Sequence, residues 1–248
     1  MRKILTIFIA LILVAGIVSV AKAADVDSSS NDQDATGYQK DRKIVKSSNG
    51  TIVVLYSRLT SDVGIRGKKS TDAGSSWTNL SGGAGSTEID PAYPNEFSIC
   101  MDASDNIYVA YQENEAIYFR KLAYSAGNWS VGEQKTVAYG GYKCRYPSIT
   151  RESGGKVWIA YGFAEGDGSY GGLMSAYATD PYSSWSQETI LSGYGTYSAD
   201  EYEPALVIRS TSPFVVYNDR HYFGMKSSEW NGSSWPSPTT VTTDNVLP

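Results

Sequence analysis

The 248 residues carry 26 acidic against 21 basic side chains and a single histidine, for a formal charge of −5. That balance argues against nucleic acid and anionic membrane surfaces as partners, since both need basic patches. One histidine leaves little basis for His-built metal sites or a Ser-His-Asp triad, and no metal or cofactor is expected.

The chain opens with Arg2 and Lys3, then an uncharged apolar run from Ile4 to Val20, then Ala21-Lys22-Ala23. A positive start, an apolar stretch and a small-x-small site predict a signal peptide over residues 1–23, and hence a secreted, periplasmic or cell-surface protein. A retained membrane anchor is the alternative, because the run falls just short of a comfortable span. Cleavage would remove Arg2, Lys3 and Lys22, taking the 21 basic residues to 18 against 26 acidic ones, a net of about −8. Residues 24–40 are polar, rich in Ser and Asp, and lack an apolar period, so they read as a disordered linker.

From residue 41 one pattern recurs four times. Its middle strands are Thr51–Tyr56, Asn106–Tyr111, Lys156–Tyr161 and Pro213–Tyr217. Each following strand leads to a Trp twelve residues on: Ile65 to Trp77, Ile117 to Trp129, Leu173 to Trp185, and Phe223 to Trp235. No segment holds a helical period, and β-branched and aromatic runs are separated by Gly, Asn, Asp and Ser. Four short strands per unit at this repeat length predict an all-β chain of propeller blades, at about 41–85, 86–137, 138–192 and 193–243. Within the second unit the four strands are expected at Phe97–Met101, Ile107–Tyr111, Ile117–Leu122 and from Trp129. The two cysteines, Cys100 and Cys144, fall near the leading strands of neighbouring units. They can bridge those units after export, or stay as two half-buried thiols.

The first unit also contains Ser70-Thr71-Asp72-Ala73-Gly74-Ser75-Ser76-Trp77. This S-x-D-x-G-x-x-W turn resembles the Asp box, the bacterial neuraminidase repeat of the sialidase superfamily, and with the strand repeat the resemblance runs from Ile44 to about Val241. Its physics is local: a short Asp side chain accepts N–H bonds within a turn, Gly takes an unusual conformation, and Trp packs between sheets. Ser70, Asp72, Gly74 and Trp77 are accordingly structural. Propellers of this kind usually have six or more blades, so four units read as an incomplete propeller. A small four-bladed ring, or two chains completing one propeller, are the alternatives. Any open edge invites self-association.

Alternating strands put the second-to-third-strand (B–C) loops and the blade-to-blade (D–A) loops on one face, where propellers bind ligands. Tyr, Asn, Asp and Glu on that face suit sugar hydroxyls. The resemblance implies three arginines gripping a sugar carboxylate, an Asp acid/base, and a Tyr nucleophile. The family's opening arginine motif is missing; Lys40-Asp41-Arg42-Lys43 stands there instead. The nearest match is Arg145-Tyr146-Pro147, followed by Arg220 between Asp219 and His221. Arg145, Arg220, Arg58, Tyr146 and Tyr202 are therefore the candidate ligand-binding residues. Glu96, Glu203 and Asp219 are the candidate carboxylates for acid/base work. Glu165-Gly166-Asp167-Gly168-Ser169 has oxygen ligands for Ca²⁺ but matches no full loop motif. Because the face is acidic overall, a neutral extracellular glycan or glycoconjugate fits better than sialic acid. Recognition is the leading expectation. A sialidase-type glycoside hydrolase and a non-catalytic, protein-binding surface propeller are the alternatives.

Overall fold

A computed structural model describes residue 26 and residues 43–58, 63–91, 96–139, 142–165, 170–194, 202–219 and 224–242. The expected signal peptide and most of the expected linker lie outside these residues. The described chain is all-β, with 18 strands in four antiparallel sheets.

The first sheet contains β1 (Ile44–Lys46), β2 (Ile52–Arg58) and β3 (Gly64–Ser70), with β4 (Thr78–Asn79) and β5 (Thr87–Asp90) both paired to β3. In the second, β6 (Phe97–Met101), β7 (Ile107–Glu113) and β8 (Ala116–Ser125) are followed by β9 (Asn128–Val131) and β10 (Lys135–Ala138), both on β8. The third runs β11 (Tyr142–Arg151), β12 (Val157–Glu165), β13 (Tyr170–Ala178), β14 (Ser186–Tyr194). The fourth runs β15 (Tyr202–Arg209), β16 (Ser212–Asp219), β17 (Gly224–Glu229), β18 (Thr239–Thr242). The four sheets are successive blades, and the strand expectations for the second unit match β6 to β9. Three sheets run past their expected limits, the second by one residue, to Ala138. The first sheet reaches Asp90 rather than 85, and the third reaches Tyr194 rather than 192. The first extends because its outer strand is interrupted and then resumes. Asn79 Oδ1 accepts the N–H groups of Ser81 and Gly83, and Leu80 N–H donates to Thr87 Oγ1, so the chain turns and returns to β3.

Strand alternation explains the packing. Ile107, Val109 and Tyr111 of β7 join the apolar cluster shared with the first sheet, which holds Val53, Leu55 and Ile65. Tyr108 and Ala110, the intervening residues, face the cluster shared with the third sheet. In β12 the same division sends Val157, Ile159, Tyr161 and Phe163 to one side, and Trp158 and Ala160 to the other. Each middle strand is apolar throughout because both its faces are covered. The recurring Trp closes these seams. Trp129 packs into the first seam with its Nε1–H donating to Asp105 O at 2.7 Å. Trp235 packs 6.1 Å from Trp158 and donates to Ser175 Oγ at 2.8 Å. Trp77, in the first sheet, is only half-buried.

Cys100 and Cys144 are both buried in the seam between the second and third sheets, and among the described residues no disulfide joins them. Burial, and then the nearby Glu115 charge, push the Cys144 thiol up to about 12. It behaves as a small apolar filler. No apolar cluster among the described residues joins the fourth sheet to the first. Ile44 on β1 is 57% exposed and Val207 on β15 is 43% exposed.

The Ser70–Trp77 turn connects β3 to β4. Ser76 donates to Asp72 from both its N–H (2.8 Å) and its hydroxyl (2.6 Å), and Ser70 Oγ donates to Asp72 Oδ1 at 2.7 Å. Ser70 Oγ accepts from Gly74 N–H at 2.8 Å, and Gly74 sits at φ 92, where a Cβ would be strained. The hydrogen bonds from Ser76 and Ser70 hold the Asp72 carboxyl at about 2, below its ordinary 3.8.

Two stability outcomes follow. Trp158→Ala removes a fully buried ring from the third seam and should cost about 3–5 kcal/mol, read as a lower urea midpoint. Asp72→Asn should lower the thermal midpoint at neutral pH. The folded carboxyl titrates below the unfolded one, so its contribution is complete above about pH 4 and fades as pH falls toward 2. The gap between wild type and variant should close over that window; a gap independent of pH would remove the carboxylate from the account.

Candidate functional site

The end expected to face a ligand is built from the β2–β3, β7–β8, β12–β13 and β16–β17 connections and from the segments entering β6, β11 and β15. Residues 59–62, 92–95, 140–141, 166–169, 195–201 and 220–223 of these connections lie outside the described residues. They include Arg220, His221 and most of the Glu165–Ser169 stretch. The Asp219 backbone pairs with Tyr202, and its side chain also lies outside.

The inner strands are tied to one another across the seams. Lys43, entering β1, donates to Phe97 O, and its Nζ lies 3.6 Å over the Phe97 ring. Leu206 N–H of β15 donates to Ser148 Oγ of β11 at 3.0 Å. Between these, Tyr146 N–H of β11 donates to Glu96 Oε2 at 2.5 Å. This third tie has a distinct local cause. The β11–β12 register passes from Arg145↔Gly162 to Ser148↔Ala160, so Tyr146 and Pro147 together oppose Tyr161 alone. That is a β-bulge. Pro147 has no N–H to give to a ladder, and a bulge is where a strand tolerates it. Tyr146 takes φ 55, in the left-handed region that side chains disfavour, and its freed N–H turns to the Glu96 carboxylate.

The candidate residues separate on this geometry. Glu96 is 1% exposed, and its carboxylate holds the bulge. Tyr146 and Tyr202 are 5% and 2% exposed; Tyr202 packs edge-on to Tyr217 at 6.4 Å within the third seam. Buried rings of this kind are packing elements, not open platforms for a sugar face. Arg145, half-buried at the start of the bulge, and Arg58, half-buried at the end of β2, remain accessible. Glu203 is half-buried and pairs with Asn218. Glu96 precedes β6 and Glu203 lies on β15, with β11 between those inner strands, so the fold does not set the two on adjacent strands. Among the described residues no three His, Cys, Asp or Glu side chains group as a metal site.

Beside the bulge, the β7–β8 hairpin turns at Asn114 and Glu115, with φ 48 and 64. Glu115 O accepts Cys144 N–H at 2.9 Å, and Glu115 Oε1 lies 4.0 Å from Lys143 Nζ. This hairpin tip of the second blade is therefore pinned to the start of β11.

A polar group that sequence reasoning did not single out lies deeper in the first seam. Arg120 Nη2 pairs with Asp90 Oδ2 at 3.0 Å, Tyr111 Oη donates to that same oxygen at 2.7 Å, and Arg120 Nη1 donates to Gly132 O at 3.0 Å. Burial, and then the bond to Asp90, raise the Tyr111 phenol above its ordinary range, which favours its protonated, hydrogen-bond-donating form. Burial, and then the Asp90 charge, raise Glu113 at the hairpin base. The signal was present: Arg120 pairs in register with Val109, a seam-facing residue, and a cation in that position needs a carboxylate partner.

The sequence matches no protein-family model, and no characterised protein matches it by sequence. Solved structures do match its fold. An α-L-arabinanase from Penicillium chrysogenum complexed with arabinobiose is 13% identical at a TM-score of 0.58, over 83% of this chain and 67% of that one. An ulvan lyase from a polysaccharide lyase family is 13% identical at a TM-score of 0.56, over 81% and 55%. A Dyadobacter fermentans protein of unknown function is 16% identical at a TM-score of 0.53, over 81% and 64%. The chain thus spans about half to two thirds of the length of these structures. At such identities the likeness is one of architecture, and what it establishes is that the chain folds as blades of a β-propeller.

Proposed function

We propose that this is an exported propeller that recognises glycan on the face carrying the B–C and D–A connections, with the Arg145–Tyr146–Pro147 bulge as its anchor. The observation that carries this reading is the bulge. A tyrosine at φ 55, held by the main-chain bond to a buried glutamate, is a strained and over-determined element, and such elements gather at ligand sites. It presents Arg145, half-buried, beside the Lys143–Glu115 pair. Two of the architecturally similar structures, the ulvan lyase and the arabinobiose-bound arabinanase, are named for polysaccharide or oligosaccharide ligands, which supports a glycan as the class.

The preferred ligand is neutral or weakly charged, because Glu88, Asp90 and Glu115 are ion-paired to Arg66, Arg120 and Lys143, and Glu113 and Glu203 stand against Arg58 and Arg145 at this end of the molecule. The finer reading, a sialidase-type hydrolase, draws on the Ser70–Trp77 turn and on Arg145 alone. Of its carboxylate candidates, Glu96 is buried and holds the bulge, and Glu203 is half-buried on β15. A protein-binding surface propeller is the remaining alternative.

Full-length chain on a glycan array should bind neutral oligosaccharides, and Arg145→Ala should weaken that binding about tenfold, the scale of one charge-assisted contact. Turnover of fluorogenic sialosides that vanishes in Arg145→Ala would move the molecule to the hydrolase class. An empty array together with capture of a protein partner would move it to the third class. Glu96→Ala, which leaves Tyr146 N–H without that acceptor, should cost roughly 1–3 kcal/mol by urea denaturation, whereas Glu96→Gln keeps an acceptor and should cost less. Equal losses in the two would mean that the charge, and not the acceptor, holds the bulge.

A further inference from the structure

The third sheet is longer than the second where the two meet. β11 and β12 have ten and nine residues, whereas β6 and β7 have five and seven, and the second sheet's last strand, β10, ends at Ala138. The end of the third sheet that carries the β12–β13 connection is therefore not fully covered by its neighbour, and a cleft of about 310 Å³ opens between the two blades. That volume falls at the small end of ligand sites.

Register decides what lines it. Tyr161 pairs with Met174 and Phe163 with Gly172, and Met174 pairs in turn with Thr189. Alternation thus sets Tyr161, Phe163, Met174 and Thr189 on one face of the third sheet. A Cβ on Gly172 would meet Leu191 O at 2.1 Å and the Phe163 ring at 3.1 Å, so only glycine leaves that ring its place. Gln187 crosses the seam: its Nε2 donates to Val137 O at 3.2 Å, and its Oε1 accepts from Tyr161 Oη at 3.2 Å. These bonds leave one amide hydrogen and one carbonyl lone pair unused. The Thr189 hydroxyl donates to Met174 Sδ at 3.4 Å, a weak acceptor, and keeps its own lone pairs. On the second-blade side Tyr139 is 77% exposed, the most exposed large apolar side chain among the described residues.

We infer that this interblade cleft is a second saccharide subsite, taking one neutral sugar ring apart from the Arg145 bulge. The exposed Tyr139 ring gives apolar surface for the C–H face of a pyranose, Met174 and the buried Tyr161 and Phe163 form the floor beneath it, and Gln187 and Thr189 give an amide and a hydroxyl for its hydroxyls. None of the described lining residues carries a charge, and the Cys144 thiol between the blades is neutral. A carboxylate-bearing sugar would find no cation there, so selection is for uncharged rings. The inference rests on reading the molecule as a glycan binder, but it uses different residues from the bulge.

The test is saturation-transfer NMR and calorimetry on the full-length chain with methyl glycosides of glucose, galactose, mannose and fucose, and with N-acetylneuraminic acid as the charged probe. At least one neutral glycoside should bind. Tyr139→Ala and Thr189→Val, each with the wild-type thermal midpoint, should weaken it about tenfold. The subsite is overturned if no neutral glycoside binds, if N-acetylneuraminic acid is preferred, or if both cleft variants bind as wild type. Loss in Arg145→Ala alone also overturns it while leaving the bulge reading intact. Loss in the cleft variants alone supports the subsite whatever the bulge does.

Discussion

The fully apolar middle strand is the element on which the rest of this molecule depends. A strand buried on one face alternates apolar and polar residues, but β7 and β12 are apolar at nearly every position because each faces a neighbouring blade on both sides. A single strand thereby belongs to two cores, and the stability of each blade is inseparable from that of its neighbours, as in other repeat architectures. The Trp residues that end the second and fourth repeats act in the same way, since Trp129 and Trp235 fill seams formed with the preceding sheet.

Stacking blades in this way brings inner strands together at the end that carries the B–C connections, and there polar bonds take over from apolar packing. Main-chain irregularity and polar ties coincide at the Arg145–Tyr146–Pro147 bulge. An extra residue in β11 frees one N–H, and a carboxylate from the previous blade receives it. A buried carboxylate is costly unless it is hydrogen-bonded, so the bulge and Glu96 stabilise each other. The Asp90–Arg120–Tyr111 group follows the same rule one seam earlier. Both assemblies spend their chemistry on holding blades in position.

The difference in length between neighbouring sheets shows how a repeat fold generates individuality. Four units share one pattern, but their outer strands do not match. The first and second are broken into β4 and β5 and into β9 and β10, whereas β14 is continuous. At the end that carries the B–C connections, β7 and β8 stop at the Asn114–Glu115 turn, and the longer β12–β13 ladder beside them leaves a cleft. The chemistry lining that cleft then depends on which residues alternation presents.

The repeat, the all-β class, the strand positions and the Ser70–Trp77 turn were legible in the sequence because each depends on local spacing: a period of two, a turn composition, and a Trp at a constant offset. The roles of individual polar residues were not. Glu96, Tyr146 and Tyr202 read as open loop chemistry, but their burial depends on which sheet lies across the seam, and spacing along the chain carries no information about that. The cysteines could bridge or pack, and the tertiary structure has them packed. The blade limits shifted because an outer strand can stop at an Asn79-closed turn and resume, a pairing invisible without the partner strand. Sequence by itself thus determined the element and its period. Tertiary structure decided which neighbour each side chain meets, because burial and pairing arise only when sheets distant in sequence come into contact.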